Sequence, residues 1–333
     1  MVDISIDRLE MLKSSFEGKR IAIIGDMMLD GYFWGDVKRI SPEAPVPVME
    51  VEEEFFRFGG AANVALNILK LGGIPIPIGV IGYDNYGTIF TSLLNEMNIE
   101  NDGIFTDTDR PTTTKTRVIA DNHHVVRIDK ESKKPLSEEI ERKLSIFLTG
   151  IINSLDGIIL QDYNKGVLTK SFIQKTVSLA NQLGITITVD PKFDNFFEYR
   201  NVTVFKPNRK ETESILGMKM ESDEDVSFAG NELLSRLNAK YILLTLSEEG
   251  IAVFAKDKPE KRMPTKARKV ADVSGAGDTV ISTLTMALAA GADIYEASTL
   301  ANYGAGIVCG EVGIVPIEKE KLFDSVVNEY HKV

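Results

Sequence analysis

Short apolar runs alternate with longer segments of helical periodicity along most of the chain. Continuous apolar runs of this length are typical of strands that are buried on both faces. They lie at residues 20–25, 76–82, 157–160, 185–189, 202–205, 241–246 and 251–255. Helical periodicity fills most of the gaps, at residues 7–15, 61–71, 86–97, 137–152, 170–183, 223–237, 294–308 and 318–330 and from Thr279 onward. The alternation predicts an α/β fold, with a doubly wound, mainly parallel sheet and helices on both faces.

Two further segments, residues 46–58 and 112–130, do not fit that alternation. Apolar and polar residues alternate in the first, and the second is rich in β-branched and polar residues, with a probable turn at Asp121 and Asn122. Strands of this kind have one face in water, unlike buried parallel strands. We expect either a small second sheet over one edge of the main sheet or an antiparallel extension of the main sheet.

The segment that follows Asp272 predicts an anion site at the start of a helix. The small residues Gly275, Ala276 and Gly277 come directly before an acid, Asp278. A helix start offers free N–H groups and a partial positive charge, and glycine lets an anion approach the backbone. Asp278 is then either a base that takes a proton from an attacking hydroxyl or a carboxylate that only caps the helix.

Polar residues also gather where the predicted parallel strands end. In doubly wound sheets, ligands bind beyond the carboxyl ends of the strands. Each of these residues alone could belong to a solvated turn, but together they predict a site at this edge of the sheet. The candidates are Asp26, Asp30, Lys165, Asp190, Lys192, Lys206, Asn208 and Thr245.

A pair of glycines, Gly59 and Gly60, leads into the predicted helix at residues 61–71. Without side chains, the pair lets a ligand come close to the backbone. The amide of Asn63 can both donate to and accept from sugar hydroxyls. The alternative is an ordinary helix start with close packing.

Composition narrows the range of functions. The 333 residues are 43% hydrophobic and 26% charged, as in ordinary globular proteins. A net charge of −11 argues against non-specific binding to nucleic acid or to an anionic membrane. An acidic protein that binds phosphates must gather its cations locally or use a metal ion. The single cysteine, Cys309, permits no internal disulfide and excludes a cysteine-based zinc site.

Several common motifs are missing from the sequence. The N-terminal residues do not resemble a signal peptide, and the longest apolar run is too short to span a membrane, so we expect a cytoplasmic protein. There is neither a GxxxxGKS/T phosphate loop nor a GxGxxG fingerprint. A P-loop enzyme and a dehydrogenase are therefore disfavoured.

Two segments resemble the signatures of a known family. FGGAANVALNILKLGG at residues 58–73 and DVSGAGDT at residues 272–279 resemble those of the ribokinase-like, phosphofructokinase B-type sugar kinases, and they occur in the family's order. The resemblance covers nearly the whole chain, and it implies a ribokinase-like fold. It implies a catalytic base at Asp278 and a sugar-binding acid at Asp30. The implied anion hole is Gly275, Ala276 and Gly277, and the further implied sugar contacts are Gly59, Gly60 and Asn63.

The resemblance also implies ATP and Mg²⁺ as cofactors. Asn208 and Glu211 match the family's NxxE motif, whose glutamate acts on the metal through water, as suits an ion that keeps several of its waters. Thr245 and Gly250 match the nucleotide loop, although Ser247 replaces its first glycine. The other residues implied on the nucleotide side are Lys206 and Asn302, and Asn302 is equally consistent with a surface helix residue.

The same resemblance gives the half-polar segments a role. In the family, a small sheet covers the sugar site and builds the dimer contact. We therefore expect a single domain at residues 1–333, with lid segments at about 31–58 and 110–130, that pairs as a homodimer through the lid.

One subgroup of the family fits closest, the kinases of ADP-heptose synthesis, which phosphorylate O1 of D-glycero-D-manno-heptose 7-phosphate. A substrate phosphate needs cations, and the candidates are Lys165, Lys192 and Arg127, unless these serve ATP or lie in solvent. Two alternatives remain open, a kinase of ribose, fructose or a fructose phosphate, and a non-catalytic protein that binds a nucleotide or a sugar. The segments similar to the subgroup are GDMMLDGYFWGDVKRISPEAPVPV, QDYNKG, VDPK and KPNRKE.

Overall fold

The computed structural model describes residues 4–121, 123–267, 272–311 and 313–330. Strands and helices alternate through most of these residues, as the hydrophobic pattern predicts. The strands are β1 (Arg20–Gly25), β2 (Met27–Ile40), β3 (Pro47–Gly60), β4 (Ile74–Gly82), β5 (Ile104–Asp107), β6 (Thr113–Ala120), β7 (His123–Lys130), β8 (Gly157–Gln161), β9 (Thr186–Asp190), β10 (Val204–Phe205), β11 (Tyr241–Thr245), β12 (Ile251–Ala255) and β13 (Lys261–Met263). The helices are α1 (Ile6–Ser15), α2 (Ala61–Lys70), α3 (Asn85–Glu96), α4 (Glu138–Ile151), α5 (Lys170–Leu183), α6 (Arg209–Leu216), α7 (Asp223–Leu237), α8 (Ala276–Ala289), α9 (Ile294–Val308) and α10 (Lys319–Tyr330).

The main sheet has nine strands in the order β13-β12-β11-β10-β9-β8-β1-β4-β5. Neighbouring strands from β11 to β5 pair in parallel, and β12 and β13 add antiparallel strands at one edge. The predicted doubly wound, mainly parallel sheet is confirmed. The sequence prediction omitted β5 and β13, because both are short and carry polar residues.

Helices pack on both faces of the main sheet, and β1 shows why its strands are apolar throughout. Ile21 and Ile23 belong to the hydrophobic cluster under α2, α8 and α9, whereas Ala22 and Ile24 belong to the cluster under α4, α5 and α7. Since successive side chains point to opposite faces, a strand covered on both sides needs an apolar residue at every position. Each fully buried side chain of this size contributes roughly 1.5–3 kcal/mol to stability. Within the described ranges, no helix is both long and apolar enough to cross a membrane.

A separate small sheet has four strands in the order β3-β2-β6-β7. Strand β2 pairs antiparallel with β3 and parallel with β6, and β7 pairs antiparallel with β6. The small second sheet is therefore confirmed, and an extension of the main sheet is wrong. A single residue separates the end of β1 from the start of β2, so the chain passes directly from the main sheet into the small sheet.

Two helix starts differ from the sequence prediction. Helix α8 begins at Ala276, not at Thr279, because Gly275 caps it in a left-handed conformation with φ 80° and the small residues that follow give no apolar signal. Helix α6 is absent from the segments of helical periodicity because its sequence RKETESIL is largely polar, although Asn208 and Glu211 are also compatible with an exposed helix start. A reciprocal capping box between Asn208 and Glu211 starts α6.

Candidate active site

The carboxyl ends of the parallel strands and the start of α8 meet at one edge of the main sheet. Gln161 ends β8, and its Nε2 lies 3.1 Å from Oδ1 of Asp278 and 3.4 Å from Oδ2 of Asp190, which ends β9. Lys206 follows β10, and its Nζ lies 2.9 Å from Oδ2 of Asp190. The structure thus brings three predicted site residues together, Asp190, Lys206 and Asp278.

Side chains from three parts of the chain hold the carboxylate of Asp278, which is only 6% exposed. Its Oδ1 accepts hydrogen bonds from the hydroxyl of Tyr163 at 2.8 Å and from the amide of Gln161 at 3.1 Å. Its Oδ2 accepts a hydrogen bond from Nδ2 of Asn63 at 2.7 Å. The sequence predicted Asn63 as a sugar contact; in the structure its amide holds the candidate base.

The surroundings of Asp278 raise its pKa to about 6. Burial is the main cause, and the negative charge of Asp190 adds to it. The hydrogen bonds from Asn63 and Tyr163 and the charge of Lys206 act in the opposite direction. The group is therefore ionised at neutral pH yet more basic than an ordinary aspartate, as a general base needs to be.

The glycines before Asp278 leave room for an anion at the start of α8. A Cβ on Gly277 would lie 3.7 Å from both Oδ2 of Asp190 and Nζ of Lys206. Gly275 adopts φ 80°, a conformation that favours glycine. The N–H of Ala276 donates a long hydrogen bond of 3.3 Å to the carbonyl of Val273. A helix start beside a buried lysine is a suitable place for a phosphate.

An acid and a lysine bridge the next two strand ends. Lys192, two residues beyond β9, forms an ion pair with Oε1 of Glu211. The other oxygen of Glu211 accepts from the backbone N–H of Asn208 at 2.9 Å. Burial acts to lower the pKa of Lys192, but the charges of Asp190 and Glu211 outweigh it. The pKa of Lys192 therefore lies above its ordinary value, and the side chain stays charged. Nζ of Lys192 also lies 5.6 Å from the centre of the Tyr163 ring.

On the side of the small sheet, Asp30 is paired with a cation. Its Oδ1 accepts a hydrogen bond from Nη1 of Arg117 in β6. A Cβ on Gly59 would lie 2.4 Å from Oδ2 of Asp30, so the glycine makes room for the carboxylate. Gly60 adopts φ 56°, and a Cβ there would lie 2.6 Å from the carbonyl oxygen of Asp26. Close packing thus requires both glycines, Gly59 against the candidate sugar-binding acid and Gly60 against the backbone of Asp26.

The loop after β8 is fixed by a single buried carboxylate. Asp26 accepts hydrogen bonds from the backbone N–H groups of Tyr163 at 2.8 Å, Lys165 at 3.0 Å and Val167 at 3.2 Å. Burial nevertheless raises the pKa of Asp26 above its ordinary value. Nζ of Lys165 lies 2.7 Å from Oε2 of Glu131, which follows the small sheet. Lys165 therefore links this loop to the small sheet.

Arg127 lies apart from the Asp278 cluster, on the exposed strand β7. Its side chain is 55% exposed, and its Nε lies 2.8 Å from Asp129. Nζ of Lys115 lies 3.2 Å from Asp129 and 3.5 Å from Glu131. A chain of ion pairs thus leads from Arg127 towards Lys165, but Arg127 itself does not reach the Asp278 cluster in this structure.

The residues expected on the nucleotide side lie near β11 and its hairpin. Thr245 ends β11 and bridges to Asn208. Ser247 adopts φ 55°, so it keeps the left-handed backbone that a glycine would favour at this position. Gly250 has φ 93°, and a Cβ there would lie 2.1 Å from the carbonyl oxygen of Met263. Asn302 is buried rather than on the surface, and its Nδ2 donates to the carbonyl of Pro264 at 2.8 Å.

Comparison with known proteins identifies the family. A model of the pfkB family carbohydrate kinases matches residues 19–320. The chain belongs to this family. The resemblance of the glycine segments is thereby confirmed, and the chain is a sugar kinase, of a family that uses ATP and typically a divalent metal ion.

Curated relatives of this pfkB kinase are about 40% identical to it. The bifunctional protein HldE of Syntrophotalea carbinolica is 39% identical over 318 residues, which cover 96% of this chain and 65% of that protein. The bifunctional protein HldE of Helicobacter pylori is 42% identical over 313 residues, which cover 94% of this chain and 67% of that protein. The chain thus spans about two thirds of the length of the curated relatives that it matches.

Solved structures support the ribokinase-like fold. Arabidopsis thaliana ribokinase complexed with ribose and ATP superimposes with a TM-score of 0.73 at 17% identity, over 93% of this chain and 99% of that one. Phosphofructokinase-2 from Escherichia coli in complex with fructose-6-phosphate gives a TM-score of 0.73 at 18% identity, over 94% and 99%. At these identities the likeness shows the fold alone.

Sequence reasoning missed several residues at the site of this pfkB kinase. Tyr163 and Gln161 were quoted only as part of a loop, and their bonds to Asp278 arise from the folding of that loop. Arg117 gave no signal, because one arginine in a half-polar strand is ordinary. Asp26 was noted at a strand end, but its three backbone bonds depend on the loop conformation.

We predict that Asp278→Asn stabilises the folded protein above about pH 6. Because the folded-state pKa is about 6 against 3.8 ordinarily, the folded protein binds this proton more tightly than the unfolded chain does, and stability falls as pH rises between those values. Asparagine removes the buried charge, and Asn63, whose Oδ1 has no partner among the described residues, can turn to accept from it. The expected gain is on the order of 2–3 kcal/mol at pH 7.5 and close to zero below pH 4.

Urea unfolding at pH 4, 5.5 and 7.5 measures this difference. The matched control is Asp190→Asn, which removes a buried acid at the same edge but leaves the ammonium of Lys206 without its 2.9 Å partner. That variant should lose stability at pH 7.5. A loss of stability in both variants at pH 7.5 would contradict the assignment of a costly charge to Asp278.

Proposed function

We propose that this kinase transfers the γ-phosphoryl group of ATP to O1 of D-glycero-D-manno-heptose 7-phosphate, giving the 1,7-bisphosphate for ADP-heptose and lipopolysaccharide core synthesis. The observation that carries the chemistry is the buried carboxylate of Asp278 at the start of α8, beside Lys206. What supports the sugar is the likeness of the QDYNKG and VDPK segments to heptose 7-phosphate kinases, together with about 40% identity to HldE proteins. We also propose that the enzyme acts in the cytoplasm.

In this proposal Asp278 takes the proton of the attacking hydroxyl. A new bond forms between that oxygen and the γ-phosphorus as the bond to the β-phosphate oxygen breaks. The backbone amides of Gly275, Ala276 and Gly277 stabilise the transferring group, and an incoming phosphate can replace the long bond from Ala276 to Val273. Lys206 supplies the nearest positive charge.

The nucleotide side is assigned to residues around α6 and β11. Mg²⁺, when bound, neutralises the phosphates of ATP. The carboxylate of Glu211 already holds Lys192 and the N–H of Asn208, so it fits a contact with the metal through water better than direct ligation. The residues proposed on this side are Lys206, Asn208, Glu211, Thr245, Gly250 and Asn302.

The sugar phosphate is assigned to the cations between the loop after β8 and the small sheet. Lys115 and Lys165 both approach Oε2 of Glu131, at 3.5 Å and 2.7 Å. A phosphate dianion would compete with the carboxylate of Glu131 for these two ammonium groups. A neutral sugar carries no charge with which to compete. Lys192 pairs with Glu211, which is assigned to the nucleotide side, so Lys165 is the more specific probe of the sugar-phosphate contact. Asp30 and Gly59 are proposed to meet the sugar hydroxyls.

The first prediction for this function concerns the base. We expect Asp278→Asn to keep the fold and the affinity for ATP, and to lower turnover by roughly 10²–10⁴-fold, the range for a lost general base. ADP release with purified variant, free of wild-type enzyme, measures the effect. Turnover within a fewfold of wild type would remove Asp278 from the chemistry.

The second prediction concerns the substrate. We expect activity on heptose 7-phosphate well above that on the unphosphorylated heptose, ribose, fructose or a fructose phosphate. Lys165→Met should raise the KM for the sugar phosphate about tenfold or more, because a charge-assisted contact is lost, and leave the KM for ATP nearly unchanged. Lys143→Met, on the exposed face of α4, is the matched control.

Each outcome of that panel has a distinct meaning. Equal use of heptose and heptose 7-phosphate would overturn the sugar phosphate and leave the kinase standing. A preference for another sugar would move the chain to a different subgroup. No ADP release with any sugar, while ATP still binds, would favour a non-catalytic binding protein.

The third prediction concerns the small sheet, which we propose is a lid that pairs two chains. Val126 and Ile128 are 51% and 52% exposed on one face of β7, and an edge strand of this kind is protected by pairing. Light scattering at micromolar concentration should show a dimer. The double variant Val126→Lys with Ile128→Lys should shift it to a monomer, whereas Val315→Lys, an exposed residue outside the small sheet, should not. A fully active wild-type monomer would contradict this role.

A further inference from the structure

The hydrogen bonds to Asp278 are unevenly divided between its two oxygens. Within the described residues, Oδ1 accepts from Tyr163 and Gln161, whereas Oδ2 accepts from Asn63 alone. A carboxylate oxygen has two lone pairs, so Oδ1 is fully used and Oδ2 keeps one free. A hydroxyl that approaches the base therefore finds an open acceptor position only on Oδ2.

The donor that binds the open oxygen also lies close to the glycine turn. Nδ2 of Asn63, which binds Oδ2, lies 3.4 Å from the position of a Cβ on Gly275. Oδ2 thus borders the glycine turn at the start of α8. The Oδ1 atom of Asn63 and the Oε1 atom of Gln161 are buried and have no hydrogen-bond partner in the described part of the chain. Both are acceptors that the hydroxyls of a bound sugar can satisfy.

We infer that Oδ2 of Asp278 is the atom that receives the proton. Tyr163 is then a positioning residue: its hydrogen bond to Oδ1 holds the carboxylate in the orientation that leaves Oδ2 open to the substrate hydroxyl. This inference rests on the proposed role of Asp278 as the base. Tyr163 belongs to the loop that Asp26 fixes through three backbone bonds, and the same loop carries Lys165. One rigid loop thus sets both the orientation of the base and the position of a cation assigned to the sugar phosphate.

Tyr163 acts here as a donor and not as an acid. Burial raises its pKa well above its ordinary value, and the negative charges of Asp278 and Asp190 raise it further. The other charged groups around the carboxylate of Asp278 are Lys192 and Lys206, which follow β9 and β10. The neutral groups that face it are Asn63 from α2 and Gln161 from β8. Tyr163 therefore keeps its proton throughout the usual assay range.

The test is Tyr163→Phe, which removes the hydroxyl and keeps the ring. A donor to a carboxylate lowers its pKa, so its loss raises that pKa and moves the acidic limb of the profile of kcat/KM against pH to higher pH. We expect a shift of about one pH unit and a fall in kcat of about tenfold at pH 7, with the KM for ATP unchanged within about twofold. A purely structural tyrosine would change stability without moving the limb.

Tyr199→Phe is the matched control. Tyr199 is a buried tyrosine whose hydroxyl donates to a different carboxylate, Oδ2 of Asp162, at 2.6 Å. Its loss should lower stability and leave the acidic limb where it is. If Tyr163→Phe does not fold, Gln161→Met removes the other donor to Oδ1, and the limb should shift in the same direction.

The outcomes separate this inference from the proposed function. Wild-type kcat and an unmoved limb in Tyr163→Phe, with Asp278→Asn inactive, would overturn the positioning role and leave the base in place. An equal shift in Tyr199→Phe would also overturn it, because the limb would then not report on Asp278. Full turnover of Asp278→Asn would instead remove the base on which the inference rests.

Discussion

A carboxylate taken out of water must find donors or cations inside the protein, or its charged form becomes unfavourable. The acids buried at the site edge of the main sheet include Asp26, Asp162, Asp190 and Asp278, in a chain that carries a net charge of −11. Each has its own kind of partner. Backbone amides hold Asp26, a tyrosine hydroxyl holds Asp162, a lysine holds Asp190, and three side-chain donors hold Asp278.

Charged and neutral partners stabilise a buried carboxylate to different extents, and this difference distinguishes Asp190 from Asp278. Asp190 has a cation in contact, the ammonium of Lys206 at 2.9 Å. Asp278 has only neutral donors in contact, so burial prevails and its pKa rises to about 6. Burial also raises the pKa of Asp162 to about 6, but its hydrogen-bond partners among the described residues are the hydroxyl of Tyr199 and the backbone N–H of Asn164, neither of which belongs to the glycine turn. Two acids of similar pKa thus differ in what lies next to them.

The hydrophobic pattern was sufficient for most of the fold and for part of the site. Strands such as β1 and β8 can be predicted because a strand with helices on both faces must be apolar at every position. The glycine turn before α8 can be predicted because small residues precede a helical segment and match a family signature. Helix α6 was missed because its stability comes from a capping box and not from an apolar face. The pair of Asp30 and Arg117 depends on the parallel register of β2 and β6, which no local pattern encodes. The contacts of Tyr163 depend likewise on a loop conformation set by distant Asp26.

The continuity of β1 and β2 limits how the small sheet can move. Only Asp26 separates the two strands, and its side chain is held by the loop after β8; at the other end, β3 runs without a break into α2. A sheet attached in this way lacks a flexible hinge at its base. Movement of β2 and β3 relative to the main sheet would therefore have to bend the strands themselves. The irregular pairings of the β2–β3 ribbon, at Gly35 and beyond Val37, lie well out along the strands and not at this base.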